Sequence, residues 1–278
     1  MSIYIASINS GSNGNCYYVG NGREAVLIDA GLSCRETEKR MKRLGLRMDK
    51  VKALFISHEH GDHIKGVEGI LSKYKLPLFI TQSTFLHSRL RIDESLIKTF
   101  KPYEPIIVGG LSVIAFPKQH DAIDPHSFLV KGDGVTTGIF TDIGAPCQHV
   151  IDNFKLCHAA FLETNYDEHM LEISSYPAHL KKRIAGDQGH LSNRQAIELF
   201  IAHSPAFMSH IFLSHLSKEN NRPDLARKVF ERHAGKTNIV VASRDEESPI
   251  FEIEAPGKKE KTVKKVVPQK SIQISLFG

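Results

Sequence analysis

Three absences narrow what this chain can be. Its four cysteines, Cys16, Cys34, Cys147 and Cys157, make no CxxC pair and no framework spacing. That excludes a disulfide-stapled scaffold and suits reduced, structural thiols. Nothing approaches the roughly 18 consecutive apolar residues a membrane-spanning helix needs. The opening MSIYIASINSGSNGN carries no basic stretch leading into an apolar run, so it does not read as an export signal. Together these point to a cytoplasmic protein. The third absence is charge on the body. The net charge is +5, yet residues 256–278 hold six Lys and one Glu, so thirty basic and thirty acidic side chains remain before them. A neutral body argues against a broadly basic nucleic-acid surface, so any polyanion must be met by local patches, bound cations or the tail.

The 278 residues are 41% hydrophobic and 24% charged, enough apolar material for a substantial core. Short β-branched runs bounded by Gly, Asn, Asp or Pro read as strands at Ile3–Ile8, Tyr17–Val19, Ala25–Ile28, Ala53–Ile56, Leu78–Ile80, Leu111–Phe116, Ser127–Val130 and Val135–Phe140. Ala159–Leu162, Ile211–Leu213, Asn238–Ala242 and Ile250–Ile253 continue the series. Two capping boxes, Ser33-Cys-Arg-Glu36 and Ser192-Asn-Arg-Gln195, open helices running to about Leu46 and about Ala202. Pro223–His233 is a third helix, with Pro in its first turn and Gly235 just past its end. Strands alternating with single helices predict one α/β domain over residues 1–255, followed by a basic tail, 256–278, too charged to pack by itself.

The chemistry concentrates in His58-Glu-His60-Gly-Asp62-His63, directly after the strand that ends near Ser57. In extended chain His58 and His60 fall on one side and suit joint ligation of one cation. Asp62 and His63 follow where the chain turns into a helix and can face a second. Imidazole and carboxylate donors suit Zn²⁺, and also Mn²⁺ or Fe. A solvated loop in a chain with 15 histidines is the competing reading. HxHxDH after a strand is far more specific than a lone histidine.

That motif resembles the signature of the metallo-β-lactamase superfamily, which implies a four-layer αββα sandwich with a metal pair at one sheet edge. The resemblance assigns further stations. Asp29, at the end of AVLIDAG, would support the histidine loop from behind. His120 in PKQHD would be the third ligand of the first ion, with His126 close by as its rival. Asp142 in FTDIG would bridge both ions, and His215 in LSHLS would complete the second. The segments SGSNGNCYYV, FLETNYDEHM, GHLSN and LSHLSKENN narrow the likeness to the YycJ/WalJ-like group of exonucleases, over about residues 3–255.

This resemblance implies two divalent ions, Zn²⁺ or Mn²⁺, and a phosphodiesterase acting on nucleic acid, DNA before RNA, cutting 5′ to 3′ in repair or replication. Asp62, His190 and Glu163 would be catalytic, His190 as general acid oriented by Glu163. Ser192 and Arg194 at the next helix start, and Asn15 in the Gly-rich loop Ser10–Asn15, are candidate substrate contacts, though the first two could equally be ordinary surface and the loop a tight turn between strands. His190 could instead simply belong to the Ser192 cap. A small-molecule or cyclic-nucleotide phosphodiesterase, a thioesterase, and a non-catalytic metal-binding regulator stay open beside the nuclease. In the tail, Gln273-Ile-Ser-Leu276-Phe277 resembles the pentapeptide by which bacterial DNA-processing proteins bind the sliding clamp. Gln273 would make the polar contact, while Leu276 and Phe277 fill an apolar pocket.

Overall fold

The computed structural model describes residues 2–255; the lysine-rich tail and its QISLF segment lie outside them. Fourteen strands run among the described residues. They are β1 (Ile3–Asn9), β2 (Cys16–Gly20), β3 (Ala25–Ile28), β4 (Val51–Phe55), β5 (Leu78–Phe79), β6 (Ile97–Lys98), β7 (Pro105–Val108), β8 (Leu111–Pro117), β9 (His126–Gly132), β10 (Val135–Phe140), β11 (Ala159–Glu163), β12 (His210–Ser214), β13 (Asn238–Val241) and β14 (Phe251–Ile253). One sheet has the order β14-β1-β2-β3-β4-β5-β6 and the other β13-β12-β11-β10-β9-β8-β7. Each sheet is antiparallel in one part and parallel in the other: β3 to β6 pair parallel, as do β10 to β13.

Strand alternation builds the layers. In β11, Ala159 and Phe161 face the core between the sheets, while Ala160 and Leu162 face the outer helices. In β4, Ala53 and Phe55 point inward and Leu54 outward. Strands buried on both faces read as continuous apolar runs, which is how these segments were legible. Met41 of the helix Cys34–Arg43 and Val67, Ile70 and Leu71 of the helix Val67–Tyr74 cover one sheet. Helices Gln148–Phe154, Asn193–His203 and Pro223–Glu231 cover the other through Phe154, Phe200 and Phe230. The result is an αββα sandwich.

The first helix stops at Arg43 rather than near Leu46, because Leu44 caps it and Gly45 turns left-handed (φ 72°). The last ends at Glu231, two residues short of His233. Short elements with too little periodicity to read were missed, among them helices Gln148–Phe154, Glu168–Ile173 and Ala178–Ile184 and strand β7. No helix among the described residues is long and apolar enough to cross a membrane.

Candidate metal centre

Parallel strands send their carboxyl ends to one rim, where open α/β sheets place their sites. Asp29 follows β3, Ser57 to His63 follow β4, Asp142 follows β10, Glu163 closes β11 and His215 follows β12. Asp29, Asp142 and His215 are left-handed, with φ of 61°, 55° and 56°. Non-glycine residues hold that conformation at a cost of about 1–3 kcal/mol, and it clusters where function demands it.

The chain after β4 bends at Ser57 and Glu59 on its way to His60, whose extended backbone caps the short helix Gly61–Ile64. The turn into that helix divides the donors. Ligating atoms of His58, His60 and His120 lie within 4.8 Å of one another, and so do those of Asp62, His63 and His215. Asp142 lies between the two groups: Oδ2 is 3.0 Å from His63 Nε2, and Oδ1 is 3.4 Å from His215 Nδ1 and 3.9 Å from His120 Nε2. His120 is oriented by donating from Nδ1 to the Gly189 carbonyl (3.0 Å). Its rival His126 is buried outside these groups, with Nδ1 on the Asp124 carbonyl at 2.9 Å.

Asp29 is buried and accepts from the Ser57 amide (2.8 Å), the Ser57 hydroxyl (2.9 Å) and His63 Nδ1 (2.8 Å). Ser57 Oγ also lies 2.9 Å from His58 Nδ1, so one carboxylate orients histidines of both groups. Glu163 does the same on the other sheet. Its Oε1 is 2.8 Å from both His190 Nδ1 and His215 Nδ1, and its Oε2 accepts from the Ile143 and Leu191 amides. Burial alone would raise the Glu163 carboxyl, but the neighbouring histidines hold it down at about 2.

Similarity to known proteins agrees with this geometry. A family model described as the metallo-beta-lactamase superfamily matches residues 10–150. An exodeoxyribonuclease YycJ of Bacillus anthracis is 32% identical over 82% of this chain and 87% of its own. The chain belongs to the metallo-β-lactamase superfamily. Within it, the chain groups with the YycJ/WalJ proteins: exodeoxyribonuclease WalJ of Streptococcus pneumoniae is 29% identical over 88% of this chain and 96% of its own. The fold is also that of the metallo-beta-lactamase fold protein YhfI from Bacillus subtilis (TM-score 0.69, 15% identity, 91% of this chain and all of that one).

For a hydrolase of this superfamily the donor set fits divalent metal. His58 Nε2 and His215 Nε2 are buried without a hydrogen-bond partner among the described residues, one in each group. The cluster also demands positive charge. Burial would depress His63, yet Asp142, Asp29 and Asp62 raise it to about 10; His215 is likewise driven well above its ordinary value, chiefly by Asp142 against its burial. His58 falls well below the usual imidazole range and His120 falls to about 4, both mainly through burial. Those two offer bare nitrogen lone pairs at neutral pH.

Three expected substrate contacts sit elsewhere. Asn15 is fully buried: its Nδ2 lies 3.2 Å from Asp62 Oδ2 and 3.0 Å from His63 Nε2, and its Oδ1 accepts from the Gly11 amide and the Tyr17 hydroxyl. It braces the metal groups instead of facing substrate. Ser192 is also fully buried; its hydroxyl accepts from the Gln195 amide as helix cap and donates to Glu168. Arg194 is exposed, but Glu168 and Glu198 both pair with it and neutralise its charge.

Sequence reading missed residues here, Ser57 and Lys118 among them. Ser57 gave no signal beyond its place before His58. Lys118, two residues before His120, is buried with Nζ donating to the Thr141 carbonyl (2.7 Å), and burial lowers its ammonium below the ordinary value. Only its position in a strand-end PKQHD could have suggested that it turns inward.

Proposed function

We propose that this chain is a two-metal phosphodiesterase that degrades nucleic acid, DNA foremost, working 5′ to 3′ from chain ends in repair or replication. The observation that carries the reading is the His190–Glu163 pair beside the donor groups. A histidine held by a buried carboxylate next to two cation sites suits departure of an alkoxide from phosphorus.

His58, His60 and His120 would hold one ion and Asp62, His63 and His215 the second, with Asp142 shared; Zn²⁺ or Mn²⁺ suits these donors. Bound there, the ions would acidify a water molecule and offset charge on the phosphoryl oxygens. Asp62 is the most exposed of the carboxylates, with its side chain at 22%, and would orient the water facing the cleft. His190 would deliver a proton from Nε2 to the leaving oxygen, because Glu163 holds its Nδ1; such donation is worth about 10²–10⁴-fold. Relatives named exodeoxyribonucleases, matching nearly their whole length, support DNA as substrate. The helix Ala178–Ile184, which leads directly into the His190 loop, carries Lys181 and Lys182 as local positive charge on an otherwise neutral body, its Arg183 being paired with Asp121. We further propose that Gln273, Leu276 and Phe277 engage a sliding clamp. Clamp binding that survives deletion of Gln273–Phe277 would reject that part.

The test offers 5′- and 3′-labelled single-stranded and duplex DNA, matched RNA and bis-p-nitrophenyl phosphate to the enzyme loaded with Mn²⁺, Zn²⁺ or Mg²⁺. Shortening of DNA from the 5′ end is expected. Turnover of the small diester alone would overturn the nucleic-acid reading.

A further inference from the structure

The Gly-rich loop Ser10–Asn15 has two sides. One meets the metal groups through Asn15, and the Ser10 hydroxyl accepts from the His215 amide at 2.8 Å. The other meets the segment after β13. There the Ser10 amide donates to the Ser243 carbonyl (3.2 Å) and Asn13 Nδ2 to the Arg244 carbonyl (2.7 Å). β12 and β13 are parallel neighbours, with Leu213 opposite Val241, so the extension that carries His215 runs beside the one that carries Arg244. Gly11 (φ 149°) lets the backbones close up: a Cβ there would stand 3.2 Å from Arg244 Cβ and 3.7 Å from the Leu216 carbonyl.

Arg244 is peculiar in this setting. Its Nη1 is buried and has no hydrogen-bond partner among the described residues. Glu247 is taken by Arg43 at 2.6 Å, and neither Asp245 nor Glu246 makes an ion pair with Arg244 among the described residues. The adjacent Arg40, by contrast, is satisfied by the Ile8 and Asp245 carbonyls, Asn9 Oδ1 and Glu36. A guanidinium donor withdrawn from water without an acceptor is costly, and arginine's fork matches a phosphate. Beside it, Ser12 and Asn13 are the exposed residues of the loop.

We propose that Arg244, with Ser12 and Asn13 at the rim, forms a subsite for a backbone phosphate of the nucleic-acid strand next to the scissile one. The proposal rests on the nucleic-acid reading above and adds a residue that holds the strand without taking part in the chemistry.

Arg244→Met and Arg244→Lys variants of the full chain test it. On a labelled single strand, Arg244→Met should raise KM about tenfold with kcat little changed, the loss expected for one charge-assisted contact. Turnover of bis-p-nitrophenyl phosphate, which has no neighbouring phosphate, should stay at the wild-type value. Arg244→Lys should recover part of the KM. In metal-stripped protein, strand binding by fluorescence anisotropy should weaken by the same factor, and the slope of log affinity against log salt should shrink by about 0.7. The ligand-free melting temperature of Arg244→Met should not fall. An earlier melt, or an equal loss on the small diester, would make Arg244 a structural prop and overturn the proposal. So would inorganic phosphate raising the wild-type melting temperature through Arg244 while strand affinity stays equal in wild type and variant. A wild type that binds and cuts the strand with Arg244→Met indistinguishable from it would sink the subsite alone. A wild type that neither binds nor cuts any strand would sink the nucleic-acid reading as well.

Discussion

Gly31→Ala tests whether the metal groups depend on one close backbone approach. A Cβ on Gly31 would fall 1.7 Å from the Asp62 carbonyl oxygen and 2.5 Å from the Asn15 amide nitrogen, whereas real Cβ contacts stay above 3.0 Å. The helix bearing Asp62 and His63 would have to retreat by at least about 1.3 Å, the difference between those distances. That movement pulls on the bonds from the Asn15 amide to the Asp62 carbonyl (2.7 Å) and from the Ala30 amide to the His63 carbonyl (2.8 Å). Overpacking costs about 1–3 kcal/mol and each of the two strained hydrogen bonds about 1 kcal/mol, so a loss of about 3–5 kcal/mol is expected in urea unfolding. A displacement near 1 Å in a catalytic group costs about 10²-fold in kcat, to be read on bis-p-nitrophenyl phosphate beside metal affinity from chelator competition. Gly45→Ala is the control. Gly45 is left-handed (φ 72°) with nothing within 4 Å of the added methyl, so it should cost about 1 kcal/mol and leave kcat unchanged. A Gly31→Ala enzyme within about 0.5 kcal/mol and about twofold of wild type would refute the reasoning, since surface changes alone stay in that range.

Three further outcomes follow from the same geometry. His190→Ala should lower kcat by about 10²–10⁴-fold with metal content unchanged by elemental analysis, while loss of metal would instead make it a ligand. Asp29→Asn, which disturbs the support of His63 and Ser57, should weaken metal affinity by about 10–100-fold in chelator titrations; unchanged affinity would remove Asp29 from that role. In metal-free protein His63 is raised from 6.5 to about 10, so its stabilising contribution is whole below pH 6.5 and lost as pH rises through 10; Glu163, lowered from 4.5 to about 2, contributes above pH 4.5 and loses that as pH falls through 2. Urea midpoints should decline at both ends, and metal binding near pH 7 should release about two protons, from His63 and His215, in calorimetry across buffers of different ionisation enthalpy.

The parts of the site that were readable share a simple property. Each ligand candidate is a polar residue just beyond a buried apolar strand: the three histidines of HEHGDH stood out by their spacing, while Asp142 after VTTGIF and His215 after HIFLS were reached through the family resemblance. The strands were readable for the same reason, since apolar runs of three to six residues marked most of them in both sheets, whereas the four-layer sandwich was implied by the family resemblance. The engagement of the candidate substrate contacts was harder to read. Asn15, Ser192 and Arg194 were placed by proximity along the chain, and proximity does not reveal which way a side chain is engaged. Asn15 closes a polar, Gly-rich loop in the sequence, yet its side chain meets Asp62, 47 residues away. Arg194 looked like a free cation until Glu168 came round from a separate helix.

The left-handed residues show why the bracing around the ligands was harder to see than the ligands themselves. Asp29, Asp142 and His215 each turn where a β3, β10 or β12 strand would otherwise go on alternating between the layers. Asp and His tolerate that conformation better than branched residues do, but the tolerance alone does not maintain it. What maintains it is a set of long-range bonds: Ser57 on Asp29, Ser10 and Asn165 on His215, and the Ile143 amide on Glu163 beside Asp142. Ser10, Ser57 and Asn165 are ordinary in type and unremarkable in spacing, and each meets its partner only when two strand ends from different parts of the chain arrive at the same rim. A ligand declares itself by its chemistry, whereas a brace is defined by its partner, and partners separated by 20 to 205 residues become visible only once the two sheets are packed.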